Sequence, residues 1–200
     1  MARRAVGTHS HDRSPGPIPS TVSGHLCIDF VNSHFTEHTG GGQTYDRLEL
    51  VEWRRWFVDR CGLSFEPALG SVTRRRLVEE RRLLRRLLEA GTQPDRHTAA
   101  ELNRLLSCAG QFWELAQGSR GFRLHQRWSD EGWPAVMAAV AASYARLLVS
   151  GGIRRVRVCA NPDCSFMFYD DTRNASRRWC DVAICGNLVK VRHLRARTHS

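Results

Sequence analysis

Four cysteines near the C-terminal end, Cys159, Cys164, Cys180 and Cys185, have the type and spacing to hold a metal. They form two C-x4-C pairs separated by a fifteen-residue arm that carries Arg173, Arg177 and Arg178. Two turns offering two thiolates each can surround one Zn²⁺ tetrahedrally and close all four of its positions. Two other uses of the same sulfurs compete with zinc. Paired disulfides belong to oxidising compartments and small secreted chains, and no apolar h-region follows Arg3 and Arg4 to mark an export signal. Four unrelated buried thiols are not expected in paired register, in a segment too short for a core of its own. One structural zinc is the expectation.

The same segment is basic. From Gly151 to Ser200 there are ten Lys/Arg against four Asp/Glu. Beyond Cys185, the residues Lys190, Arg192, Arg195 and Arg197 line a stretch that reads as a helix, with Leu188, Val189 and Leu194 able to pack back on the module. A basic helix anchored by a metal site is well shaped to enter a DNA major groove. Two structural readings stay open beside this one. Arg177 and Arg178 can balance the net negative charge of a four-thiolate zinc site. The helix cations can complement the dipole at its C-terminal end.

Several short elements must position these groups. Ile153 to Val158 alternates apolar and basic residues as a strand with one wet face would. Cys159-Ala-Asn-Pro-Asp-Cys164 is a tight turn whose N–H groups can bond thiolates. Phe166 to Tyr169 is a second strand, Asp170-Asp171-Thr172 turns the chain, and Cys185 opens the terminal helix. Trp179, Phe168 and Tyr169 read as the small core of the module, with stacking on unpaired RNA bases as their alternative use.

Upstream, residues 1–20 are polar and Pro-rich and read as a disordered arm, in which His9 and His11 are solvated. Leu26 to Val31 is either a buried strand or the first turns of a buried helix. Gly40, Gly41 and Gly42 mark a loop. Thr44 to Cys61 predicts one helix, capped by Asp46 with Glu49 three residues on, burying Leu50, Trp53, Phe57 and Cys61, and stopped by Gly62. Thr73 to Ala90 predicts a second, with Leu77, Leu84, Leu87 and Leu88 inward and Arg74, Arg75, Arg76, Arg81, Arg82, Arg85 and Arg86 on a solvated face. A capping box at Thr98-Ala-Ala-Glu101 opens a third helix. Phe122 to Trp128 alternates as a strand, with Phe122, Leu124 and Gln126 on one face. Trp133 to Val149 is apolar all round and reads as a central helix, and Ser150-Gly151-Gly152 marks a boundary. The fold class expected is mainly α (α+β). The expected domains are the arm at 1–20, a helical body at 21–150, and a zinc finger with a short hairpin and a basic helix at 151–200.

The length of 200 residues suits one moderate domain plus an appendage, and the net charge of +10 suits a polyanionic partner. Lys190 is the only lysine, though arginine excess also follows from a GC-rich coding genome. The longest uncharged apolar-leaning run, 132–145, is too short for the ~20 residues of a membrane span. A soluble, reducing, cytoplasmic setting is expected.

Residues 153–197, above all VCANPDCSFMFYDDTRNASRRWCDVAICGN, resemble the CGNR-type zinc finger, named for a Cys-Gly-Asn-Arg motif at its last ligand. LCIDFVN at 26–32, the arginine-rich helix and the helix before the finger resemble the ABATE domain that precedes it in such proteins. The resemblance implies a bacterial, stress-related regulator of transcription that binds zinc and DNA, with the four cysteines as ligands. This chain departs from the motif by reading Cys185-Gly186-Asn187-Leu188, with leucine in place of the arginine.

The leading expectation is a DNA-binding regulator whose N-terminal domain senses a small-molecule or redox signal or forms a homodimer. A thiol redox sensor that releases zinc on oxidation is the alternative, as is an RNA-binding module. An enzyme is not expected. A four-thiolate zinc has no open position, and Asp29, His25, His34, His38 and His125 have no diagnostic spacing. Cys27, Cys61 and Cys108 read as buried thiols.

Overall fold

The computed structural model describes residues 23–36, 38, 42–119 and 121–198. The N-terminal arm, with His9 and His11, and the pair Gly40 and Gly41 lie outside the described residues. Helices hold 52% and strands 16% of the described residues, so the class is mixed α+β with helix in the majority.

The central element is α5 (Trp133–Val149), entered through Pro134 at its first turn, with both flanks of its Ala/Val/Leu surface buried. Against it pack α1 (Leu26–Val31), α2 (Val51–Arg60), α3 (Ser71–Ala90) and α4 (Arg96–Leu106). The run 26–31 is thus a helix, and its Asp29 is held by the Ser23 N–H and by Arg60, both at 2.8 Å. Trp53 and Phe57 stack at 4.8 Å in the same core, as helical spacing predicts.

The helix expected over 44–61 is shorter. Thr44–Asp46 forms β2, paired antiparallel with β1 (His34–Thr36), and a 3-10 turn follows before α2 begins. Asp46 does act as a cap, accepting from the Leu48 N–H, but of that 3-10 turn. Glu49 pairs with Arg74 instead of closing a capping box. The third helix likewise starts earlier than expected. Asp95 is its cap, accepting from the Thr98 N–H at 2.8 Å, so Thr98 sits inside the first turn.

Arg81 corrects the reading of α3. It is buried, and its guanidinium grips both oxygens of Asp46 at 2.7 and 2.6 Å and the Ser33 hydroxyl at 2.8 Å. The charge pattern of the helix hid this because Arg81 falls among exposed arginines. Gly91 stops the helix in the left-handed conformation, at φ 59°.

Between α4 and α5 the chain forms an eight-residue hairpin of β3 (Gln111–Gly118) and β4 (Gly121–Trp128). One face carries Trp113, Leu115, Phe122 and Leu124, each more than 60% exposed. The chain then passes a 3-10 turn (Gly152–Arg155), where a strand was expected, into β5 (Val156–Val158) and β6 (Met167–Tyr169). Helix α6 (Asn187–Thr198) ends the described chain. Among the described residues no helix is long and apolar enough to cross a membrane.

Candidate metal centre

The β5–β6 ladder delivers the first two cysteines to one point. Its last bond, from the Cys159 N–H to Phe166 O at 2.9 Å, closes the Cys159–Cys164 turn, and the Cys164 N–H returns to Asn161 O at 2.9 Å. The second pair is positioned by a different device. Ala160 N–H bonds Arg178 O at 2.8 Å, which lays the second arm beside the first turn. Asp181 then caps a single π-helical turn (Val182–Gly186), accepting from the Ile184 N–H, and this turn carries Cys185 into α6. Gly186 leaves room for Trp179 at the close of it. A Cβ there would stand 3.1 Å from Trp179 Cδ1.

All four cysteine sulfurs lie within 4.8 Å of one another and all four residues are buried. Two sulfur pairs measure 3.8 and 3.6 Å. Tetrahedral zinc with Zn–S bonds near 2.3 Å places its sulfurs about 3.8 Å apart, so the donor set fits one structural zinc. With all four positions taken by thiolates, the metal supplies a cross-link rather than a reactive site. The outer contacts suit that role. The Cys180 N–H points at Cys159 Sγ (3.5 Å), and Asn161 Nδ2 approaches Cys185 Sγ (3.6 Å). Among the four thiols, hydrogen bonds from Cys164 and Cys180 pull the Cys159 thiol down, and the contact with Cys159 pushes Cys164 up.

The finger does not hang free on its glycines. Asn32, the last residue of LCIDFVN, reads the backbone of β6 in both directions. Its Nδ2 donates to Met167 O at 2.7 Å, and the Met167 N–H donates to its Oδ1 at 2.8 Å. Ile153, Val156 and Met167 belong to the core of the helical body. Arg85 on α3 donates to Ser165 O, and the Thr36 N–H donates to Ser165 Oγ. Arg47 lies 4.3 Å over the Phe35 ring and 5.8 Å from Phe166, bridging the two parts. Nothing in the cysteine spacing pointed to Asn32 or Ser165. Their signal is a polar residue at the end of an apolar helix and one at a strand start, which is weak without the partner backbone.

The basic residues separate into two groups. Arg177 is spent inside the finger, donating to Trp179 O at 2.9 Å and to Cys180 O, with its guanidinium 4.8 Å over Phe168. Arg192 pairs with Asp163 and reaches Asn161, so it ties α6 to the first turn. Arg173, Arg178, Lys190, Arg195 and Arg197 are exposed, with Arg178 flanking Trp179. Phe168 is buried with the cysteines, and Phe166 and Trp179 pack against that cluster. Tyr169 faces His25 of the helical body at 4.6 Å. These rings are core, and Phe168 is not available to stack on a base. Leu194 does not pack back as expected, being 65% exposed, and α6 buries no residue at all.

A helical body carrying a four-cysteine module that one zinc cross-links defines a zinc-finger protein. The ABATE family model, described as "Putative stress-induced transcription regulator", matches residues 24–151, and the CGNR zinc finger model matches residues 155–198. The first match covers more than half of the chain, and the chain belongs to the ABATE family. No curated protein matches it.

Proposed function

We propose that the protein is a zinc-dependent, DNA-binding regulator of transcription, acting in the cytoplasm as a homodimer, with α6 and the exposed arginines of the finger as its DNA contact. The observation that carries this reading is α6 itself. It is a twelve-residue helix that buries none of its residues and displays Lys190, Arg195 and Arg197. Isolated helices shorter than about 12–15 residues are marginal in water, so a helix projecting from a rigid metal site calls for a partner to pack on. Its cations select a polyanion, and its diameter suits a major groove. Arg173 and Arg178 on the arm extend the basic surface and supply phosphate contacts.

The β3–β4 hairpin supports the dimer. A lone two-stranded ribbon is marginal in water, and both of its edges are unpaired among the described residues. Its apolar face bears Trp113, Leu115, Phe122 and Leu124 and no charged residue, which disfavours nucleic acid there and spares a second copy any like-charge contact. These four side chains expose roughly 500 Å² per protomer, most of the ~800 Å² per partner that a stable interface buries. The arm at 1–20 has no aromatic residue to cover them.

The test is fluorescence anisotropy on duplex DNA across a salt series. Replacing Lys190, Arg195 and Arg197 by alanine together is expected to flatten the slope of log K against log salt by about 2.7. An unchanged slope and affinity would remove α6 from the contact.

A further inference from the structure

Helix α3 holds a buried carboxyl that the fold does not satisfy. The Glu80 side chain is 12% exposed, and its Oε1 stands 3.5 Å from Arg76 Nε. Its Oε2 is sealed from solvent and has no hydrogen-bond partner. The other acids of the helical body's interior are treated differently. Asp29 is bonded by Ser23 and Arg60, and Asp46 takes both terminal nitrogens of Arg81. An orphan acceptor in a native interior is costly and calls for an explanation.

The explanation lies beside it. A cavity of about 280 Å³ opens between α3 and the start of α5, where Glu80 meets Leu77, Trp133, Pro134 and Met137. A second cavity, of about 400 Å³, shares Arg76, Glu80 and Cys108 with the first and is polar, with Glu79, Glu101 and Arg104 on its walls. Apolar walls converging on a few polar groups are the usual form of a small-molecule site, and together the two volumes reach the usual size. Burial pushes the Glu80 carboxyl up to about 7, with Arg76 pulling it down and Glu79 adding to the rise. The group is therefore partly protonated at neutral pH, ready to ionise when a donor arrives.

The chemistry of the ligand follows. The unsatisfied atom is an acceptor, so the ligand must bring an N–H or O–H. An ammonium serves better than a hydroxyl because it also stabilises the ionised carboxylate. The apolar walls ask for a compact hydrocarbon body on that nitrogen. We propose that this double cavity binds a small organic amine, its ammonium drawing the Glu80 carboxylate, which lines both volumes, out of its sealed position, and its apolar body between Leu77, Trp133 and Met137. The same helix reaches the finger, where Arg85 holds Ser165 O, so an occupant sits on the element that touches the metal module. This names the class of signal for the sensing role and rests on the regulator reading only for that role.

Isothermal titration of the zinc-loaded, full-length protein with benzylamine, benzyl alcohol and benzoate tests it without DNA. Saturable millimolar or tighter binding of benzylamine is expected, stronger than that of the alcohol, with no binding of benzoate. In buffers of different ionisation heat the benzylamine titration should show proton release, because the bound ammonium ionises Glu80. Glu80→Gln keeps the volume and removes a buried charge, so it should fold, lose about ten-fold or more in affinity and release no proton. Met137→Trp fills the cavity and should block benzylamine while zinc content stays unchanged. The proposal is overturned by the absence of saturable benzylamine binding, by equal binding in Glu80→Gln, or by benzoate binding as well as the amine. None of these results bears on DNA affinity, and loss of DNA binding in the α6 variants leaves this site standing.

Discussion

The hairpins β5–β6 and β3–β4 are both two-stranded and antiparallel, yet the shorter is the better secured. Strands β5 and β6 have three residues each. They are held from one end by the four-cysteine cluster, from the side by Asn32, and from below by Val156 and Met167 in the core of the body. Strands β3 and β4 have eight residues each. They have a full ladder but no cysteine cluster, and apart from Trp128, which packs on the body, their large apolar side chains face water. Ladder length does not decide whether a ribbon holds; what covers its faces does. The finger carries its cover within the chain. The long hairpin leaves its apolar face open to water.

The largest expected effect comes from removing the metal. Chelation, or Cys180→Ser, should unfold the finger, since structural zinc contributes about 10–16 kcal/mol in finger-sized peptides. Near-ultraviolet dichroism of Trp179 and zinc release report it, while the body helices persist in the far ultraviolet. Each cysteine must lose its thiol proton to ligate the metal, so zinc competes with protons for the four sulfurs. Zinc binding should therefore release protons, and affinity should fall as pH falls. A finger still ordered without metal would mean that docking alone suffices and would remove half of the contrast.

Asn32→Ala comes next. It strands the Met167 N–H and carbonyl in a buried place and should cost about 2–4 kcal/mol, read by denaturant unfolding. Finger amides should gain exchange while zinc stays bound. If the exchange of the finger is unchanged, the dock is carried by apolar contacts and not by Asn32. Gly186→Ala is smaller. The added methyl meets Trp179, for about 1–3 kcal/mol, with weaker zinc affinity as the readout.

The smallest effect on folding is predicted for Leu115→Glu, within about 0.5 kcal/mol for the monomer, although it should abolish the dimer in sedimentation. A loss of several kcal/mol from the monomer would show that the hairpin face is already packed, and the comparison would fail.

The parts legible in the sequence were those whose pattern agrees with their burial. The cysteine pairs, the apolar run of α5 and the leucines of α3 each state their role through spacing. Strand β3 was missed for the opposite reason. Its Phe112 and Trp113 stand side by side, which breaks the alternation that marks β4. Arg81 looked like its exposed neighbours because a buried ion pair depends on Asp46, thirty-five residues away. Thr44–Asp46 carried helix-cap chemistry and went into a strand because β1 was there to pair with it. Asn32 and Ser165 gain meaning only when the finger and the body meet.

On the proposed reading, the metal-anchored α6 reads DNA. Selecting from a library of short duplexes with the zinc-loaded, full-length protein, at about 150 mM salt with excess nonspecific competitor, tests it most directly. Enrichment of a defined motif, lost when zinc is chelated, is the predicted result. Salt-sensitive binding with no enriched sequence, or equal enrichment without zinc, would contradict it.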